Sequence, residues 1–514
     1  MDAPKPAKSY SANPAHSVKR RLIVGFAWLF ASRVVINIIG FASSIVLARL
    51  LMPEDFGLVA LAMSVIAVVA AVTMLPIPEA LLRTPDLTNA HIDSAFTLGL
   101  LRSVGLALLL AAAAWPCADI FNDARIIPIM LVLAFNALLT GLYSPSYALI
   151  QKTLSFRPEF MMMTVSKLIG TVVALVIAFV FRSYWAIIFS TVAMQAASVI
   201  ITYYYAPYRL RLSTKHIGEI WSFSLWVTLS GAINTLSWRV DYLAMGGVLG
   251  SKTLGYYSYG DNLATLLTRE SSTPLVKALF PGLVAVGNDP DRLRSAYRRV
   301  QSLVFAICAP LGVGFALTSD QFVPLLLGEK WLMIVPVIQT IAVVTSLQNI
   351  GIAVQPLAMT LGNTRQMFRR DVTSFCIRVP LILAGLFLYG LPGVLAGRAL
   401  AEILALLINL HLARQITGIS IISQIRGCGR SIGALLIMSG AVLVFKDAIA
   451  GHHVQPVVSL IATVAVGGLA YVAGHAGLWL MANRPHGPEE EILSTLRNGL
   501  AKLSIGQVGV QGGR

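Results

Sequence analysis

The chain has 514 residues, 56% hydrophobic and 12% charged, with a mean hydropathy of +0.76 and a formal net charge of +16. Soluble domains carry about 25% charged residues, so the composition excludes an ordinary soluble globular protein and implies a chain that lives mainly in a bilayer. Its four cysteines (Cys117, Cys308, Cys376, Cys428) form no CxxC or Cys/His cluster, which argues against disulfide and metal chemistry.

In chain order, residues 1–22 are rich in Pro, Ala, Ser and Lys and read as a polar tail with no signal-peptide cleavage site. A bilayer span needs roughly 20 apolar residues. That length predicts fourteen spans at about 24–46, 57–76, 94–114, 127–147, 161–181, 184–204, 221–246, 255–283, 300–318, 333–357, 372–389, 392–413, 430–445 and 456–481. A second polar tail follows from 482, in which 488–503 has the pattern of a short amphipathic helix. No loop is long enough for a catalytic domain.

Charge placement orients the spans. With the N-terminus in the cytoplasm, 25 of the 39 Lys and Arg fall in the tails and loops of that side, 6 on the other side and 8 inside spans. The positive-inside rule then puts both termini in the cytoplasm. The +16 charge is thus a topology signal, and no nucleic-acid partner is expected.

Two stretches resemble each other: LARLLMPEDFGLVALA (47–62) and MGGVLGSKTLGYYSYG (245–260). In the first, Pro53 and the acids Glu54 and Asp55 interrupt an apolar run. In the second, Gly250, Ser251, Lys252 and Gly255 do so. Both read as tight turns between the first two helices of a lobe, and as turns rather than binding sites. A second echo relates SFRPEF (155–160) and FVFRSYWAIIFS (179–190) to NTRQMF (363–368) and FLYGLPGVLAG (387–397). The predicted fold is therefore an all-α polytopic membrane protein with two parallel-related six-helix lobes around a central cavity. The boundaries are an N-tail (1–22), an N-lobe (23–205), a C-lobe (217–413), two added spans (428–481) and a C-tail (482–514).

Function should lie with polar residues that the bilayer penalises, since a charge at mid-membrane costs roughly 2.5–3.5 kcal/mol on insertion scales. Polar stripes at helical spacing run along several spans. They comprise Arg33, Asn37, Gly40 and Ser44; Ser230, Asn234, Ser237 and Asp241; Ser258, Asn262, Thr265, Arg269 and Ser272; and Arg398, Glu402 and Asn409. A further stripe, Thr191, Gln195, Ser198 and Thr202, reads as glue between helices. Arg398 and Glu402 stand at i,i+4 and are expected to pair. Embedded cations outnumber embedded acids, and such an excess suits an anionic ligand, with Arg forking onto phosphate oxygens. Pro274, in RESSTP (269–274), is expected to break its helix beside a wet cavity.

At this point RVDYLAMGGVLGSKTLGYYSYG (239–260), the first hinge, LLLGEKW (325–331) and RLRSAYRRV (292–300) together carry a resemblance. The chain resembles the Wzx-like oligosaccharide flippase branch of the multidrug/oligosaccharidyl-lipid/polysaccharide (MOP) superfamily, with succinoglycan-type exopolysaccharide exporters as the nearest subgroup. The resemblance implies a MATE-like fold in a bacterial inner membrane. It also implies alternating-access transfer of undecaprenyl-diphosphate-linked sugar units for exopolysaccharide, capsule or lipopolysaccharide biosynthesis, beside a polymerase and chain-length or export partners. No cofactor is expected beyond a proton or sodium gradient. From burial and stripe position, Arg33, Arg269, Lys167 and Arg378 are the candidates for holding the diphosphate. Asn37, Asn234, Ser237, Asn262, Thr265 and Ser272 are candidate cavity residues, and Asp241 and Glu270 candidate coupling acids. A cation or drug antiporter is the alternative, although its cargo would favour acid-rich spans; a membrane glycosyltransferase or polymerase is the third reading.

Overall fold

The computed structural model describes residues 35–74, 88–153, 157–215, 225–285, 289–361, 364–452 and 454–483, with single positions 77, 81, 217, 487 and 489. Among the described residues all regular structure is helical. The first six α-helices are α1 (Val35–Leu50), α2 (Pro53–Val72), α3 (Asn89–Phe121), α4 (Ile126–Gly141), α5 (Arg157–Phe181) and α6 (Trp185–Tyr205). Then come α7 (Leu225–Ala285), α8 (Pro290–Leu326), α9 (Val335–Gln348), α10 (Val354–Thr360) and α11 (Thr364–Thr417). The last are α12 (Ile421–Gly427), α13 (Gly429–Ala450) and α14 (Pro456–Met481). Short 3-10 turns occupy Pro145–Thr153, Glu329–Ile334 and Asn349–Gly351.

Each expected span falls mainly on helix wherever its residues are described, though not one for one. Spans 7 and 8 are fused in α7, spans 11 and 12 in α11, and span 10 is a broken run from Glu329 to Met359. At 1.5 Å per residue the 61 residues of α7 would reach about 90 Å, three times the hydrocarbon core, so the element must fold back. It does so at Gly250, whose φ of 78° is left-handed backbone that glycine adopts without strain. Hydrogen bonds between its halves tie the hairpin: Tyr257 donates to Asp241 and Tyr242 to Asp261, each at 2.5 Å. In α11 the reversal is at Gly390 (φ 61°), and the halves meet through Gly385 and Gly393, where a Cβ on either would overlap the other's carbonyl oxygen. The expected break at Pro274 is absent: helical backbone runs on through it, and within α7 only Gly250 departs from helical geometry.

The chain divides into two compact units, Met1–Leu51 with Val65–Ala232, and Met52–Ser64 with Ile233–Arg514. In the first, α5 and α6 close on each other through a buried Ser198–Ser166 hydrogen bond of 2.9 Å, and Gly170 packs against Met194 and Ser190. The Thr202 hydroxyl accepts the Ser144 backbone N–H. Ser198 and Thr202 of the α6 polar stripe are thus interhelical glue, whereas Thr191 donates back to the Ile187 carbonyl of its own helix. Arg102 caps the end of α2, its guanidinium donating to the Thr73 carbonyl at 2.6 Å.

In the second unit, the first hinge is a helix start. Pro53 opens α2, and the Asp55 carboxylate reaches back to accept the Met52 N–H at 2.9 Å, half of a capping box. Gly57 then meets Gly255 of α7 so closely that a Cβ on Gly57 would overlap the Ser251 carbonyl and one on Gly255 the Pro53 carbonyl. The two hinges are therefore also a helix crossing, which the turn reading alone omits. Around them, Phe56 and Tyr259 pack edge-on at 4.9 Å, and both reach the fully buried Trp331 (5.3 and 4.6 Å). Three of the stretches that carried the family resemblance converge on this cluster. Further on, α14 packs on α8, with Tyr471 donating to the Ala306 carbonyl at 2.7 Å. Leu436, Val444, Leu469 and Val472 of α13 and α14 are exposed, as apolar side chains facing lipid are.

Candidate functional site

The α7 and α11 hairpins bring five ionisable groups together. Arg378 is held by Glu402 at 2.9 Å and Asp241 at 3.2 Å. Arg398 is held by Asp261 at 2.7 Å and Asp241 at 3.4 Å, and it also donates to the Tyr257 hydroxyl at 2.5 Å. Gln348 donates to Glu402, and the Arg378 guanidinium lies 4.2 Å over the Trp238 ring. Asp241, Arg378, Arg398 and Glu402 are more than nine-tenths buried, and the Asp261 side chain is 13% exposed. Among the described residues three carboxylates face two guanidiniums, so these five groups sum to one negative charge when every acid is ionised. Burial is tolerable because nearly every charged atom has a partner, and in a low dielectric a missing one is expensive.

One sequence expectation changes here and one holds. Arg378 is not an uncompensated cation; two acids from other helix segments pair with it. Arg398 and Glu402 do approach at i,i+4, but at 3.9 Å that contact is looser than their cross-helix pairs. Asp241 is fully buried and shared by both arginines and Tyr257, with its Oδ1 unpartnered among the described residues.

Beside the cluster lies a cavity of 460 Å³, within the 300–1,000 Å³ range of ligand pockets. Asn234, Ser237, Ser272 and Arg378 line it, as do Trp238, Gln348, Asn349, Gln355, Arg370, Asp371 and Asn409, which the sequence reading did not single out as cavity residues. Asn262 and Thr265 do not: Asn262 is exposed, and Thr265 donates back to the Asp261 carbonyl at 2.7 Å. Of the remaining candidates, Asn37 is half-buried on α1. Lys167, on α5, is half-buried beside Gly40 of α1, where a Cβ would stand 3.7 Å from its ammonium nitrogen, and it makes no ion pair among the described residues. Arg33 lies outside the described residues, as does nearly all of 488–503. Arg269 and Glu270 are on α7, with their side chains outside the description.

Comparison with known proteins places the chain. The family described as "Polysaccharide biosynthesis protein" matches residues 46–336. The chain belongs to that family. It is 25% identical over 396 residues to the lipopolysaccharide biosynthesis protein WzxC of Escherichia coli K12, covering 76% of this chain and 80% of WzxC. It is 21% identical over 405 residues to the teichuronic acid biosynthesis protein TuaB of Bacillus subtilis (76% and 82% covered), and 22% identical over 300 residues to the succinoglycan biosynthesis transport protein ExoT of Rhizobium meliloti (58% and 60%). Among solved structures, the lipid II flippase MurJ in an inward closed conformation aligns over 90% of this chain and all of its own with a TM-score of 0.70 at 13% identity. An inward-facing MATE multidrug transporter aligns over 74% of this chain and 95% of its own, with a TM-score of 0.59 at 15% identity. The chain is thus a multi-pass membrane protein, helical throughout its described residues, with the fold of MurJ and the MATE transporter, and the resemblance to Wzx-like proteins stands.

Proposed function

We propose that the protein flips undecaprenyl-diphosphate-linked oligosaccharide units across the bacterial inner membrane by alternating access, for exopolysaccharide, capsule or lipopolysaccharide synthesis. The observation that carries the anionic-ligand part is Lys167, half-buried on a membrane helix with no ion-pair partner among the described residues. A positive charge in that setting favours a phosphate group. The names of WzxC, TuaB and ExoT, proteins of polysaccharide biosynthesis or transport, and of MurJ, a lipid II flippase, support a lipid-linked saccharide as the cargo. Arg33 and Arg269 remain part of the proposal as further diphosphate ligands. The odd carboxylate of the buried cluster, with Asp241 at its centre, supports coupling to a proton or sodium gradient, with Glu270 kept as the second acid. The charge bias supports a cytoplasmic location for both termini, and a polymerase and chain-length or export proteins are the proposed partners.

The test compares Lys167→Ala with Lys167→Arg at equal protein level, reading lipid-linked sugar accessible on the outer face and polymer output. The proposal expects loss with Ala and retention with Arg. Unchanged flipping by Lys167→Ala would remove Lys167 from the site. Absence of outer-face lipid-linked sugar above background with the wild-type protein would reject the flippase reading in favour of the antiporter.

A further inference from the structure

Pro207 follows the end of α6, and residues 207–215 (PYRLRLSTK) run on without helical structure. They form a strap pinned to the first unit at several points. The Ser144 hydroxyl donates to the Ala206 carbonyl at 2.7 Å, fixing the approach. The Tyr208 hydroxyl donates to Asp93 of α3 at 2.7 Å, and the Tyr208 ring packs on Phe96 at 5.4 Å. Further on, the Ser213 backbone N–H donates to the Thr97 hydroxyl at 2.8 Å. Asp93 and Thr97 are one turn apart on one face of α3, so the strap is held against the start of that helix at both of its ends.

The pins also set its depth. The apolar run of the third span begins at about 94 and that of the sixth ends at about 204, so Asp93, Thr97 and Ala206 straddle the edge of the hydrocarbon core. Tyr203, Tyr204, Tyr205 and Tyr208 gather at the same level, Tyr204 being 79% exposed, as aromatic residues do at a membrane interface. Between the pins the chain reads Arg209-Leu210-Arg211-Leu212. All four residues are exposed, the leucines by 65% and 72%, and so is Lys215 beyond them. None of the three cations makes an ion pair among the described residues, and Asp93 already accepts from Tyr208. Water suits the cations and not the leucines, and acyl chains the reverse. The boundary between headgroups and acyl chains suits both.

We infer that this strap is a binding site for anionic phospholipid, in the leaflet that the charge bias assigns to the cytoplasmic side. Leu210 and Leu212 enter the acyl boundary, while Arg209, Arg211 and Lys215 gather headgroups of net negative charge. Each Lys or Arg near an anionic surface favours such lipids about fivefold, and Arg adds paired hydrogen bonds to phosphate oxygens. Lipid is the fitting occupant because the strap lies flush with the bilayer edge and carries no acid of its own between residues 207 and 215. The inference concerns the bulk membrane and not the cargo, so it stands apart from Lys167 and from the flippase reading.

The experiment uses the full chain in phosphatidylcholine nanodiscs, with a bimane fluorophore on Leu212→Cys. Cys117→Ser and Cys376→Ser remove the accessible thiols, and Cys308 and Cys428 are buried. A minor share of the lipid carries bromine on its acyl chain, which quenches bimane on contact. In one set the brominated lipid is phosphatidylglycerol, in the other phosphatidylcholine. Both should quench, and phosphatidylglycerol should be enriched at the probe by about fivefold or more at low salt, less as salt rises. Arg209→Gln, Arg211→Gln and Lys215→Gln together should bring it down to the phosphatidylcholine level. Retained phosphatidylcholine quenching shows that the strap of this variant is still in place. Arg292→Gln, which removes an exposed cation already paired with Asp289 on α8, should change nothing. No quenching by either lipid overturns the inference, since the strap then faces water or a protein groove. Equal quenching by both lipids before any charge is removed overturns it too, whatever the variants do. So does enrichment that survives the triple variant.

Discussion

Gly57 and Gly255 stand against each other with no room for a Cβ on either. The atoms in the way are the backbone carbonyls of Ser251 and Pro53, which cannot rotate aside as a side chain would. Alanine at either position should therefore destabilise by about 1–3 kcal/mol or more, the range for overpacking. Gly314, on α8, is the control, because a Cβ there meets nothing within 4 Å. Its alanine variant should be neutral or more stable, as Gly→Ala is in an open helical position. Heating detergent-solubilised variants and measuring the fraction still monodisperse checks the contrast; equal survival of Gly57→Ala and Gly314→Ala would contradict it.

The buried cluster predicts an asymmetry. Three acids face two bases, so Glu402→Gln leaves a balanced set, whereas Arg398→Met leaves one base for three acids. Breaking a buried pair by removing one partner costs about 3–5 kcal/mol. Arg398→Met should show that full loss and Glu402→Gln distinctly less, in the same heating assay. Equal loss in both would mean that the cluster is not held together by charge balance.

Trp331 is fully buried and meets the rings of Phe56, Tyr259 and, at 6.1 Å, Tyr256. Trp331→Ala should cost about 3–5 kcal/mol and Trp331→Phe clearly less. Near-ultraviolet circular dichroism, which reports packed aromatics, should lose intensity in the alanine variant and retain most of it in the phenylalanine one.

In the loop between α3 and α4, hydrogen bonds from the Arg125 guanidinium hold the Asp123 carboxyl below its ordinary range, with partial burial opposing them. A depressed carboxyl contributes stability that is present above its unfolded-state value and lost as pH falls through the folded one. Asp123→Asn should thus be slightly less stable than wild type at neutral pH, and the two should converge as pH drops below the usual carboxylate range. A difference that persists in acid would assign the effect to something other than charge.

Much of the fold was legible because a bilayer imposes length and apolarity on each span, and because Pro53, Gly250 and Gly390 mark chain reversals. The polar stripes showed which helices carry polar faces, but not which charge meets which. Arg378 and Glu402 are paired across a hairpin, 24 residues apart, and Arg378 and Asp241 are 137 apart. The i,i+4 rule sees neither, and it favoured Arg398–Glu402 instead. One signal was present: Arg378 and Glu402 each lie twelve positions from Gly390, so a hairpin centred there brings them level. The crossing at Gly57 joins segments about 200 residues apart, and the Trp331 cluster joins three segments whose members Phe56, Tyr259 and Trp331 are distant in sequence, and no local pattern encodes such a meeting.

Glu489 lies beyond α14, yet its carboxylate sits between Arg430 at 2.9 Å and His475 at 3.1 Å, and His475 in turn meets Ser431 at 3.0 Å. Glu489 of the polar tail thus clasps the last helix pair. A reporter enzyme or fluorescent protein spliced in directly after residue 483 would strip Arg430 and His475 of their common anion, loosening the very helices whose orientation it was meant to report. Fusions of that kind belong downstream of 489.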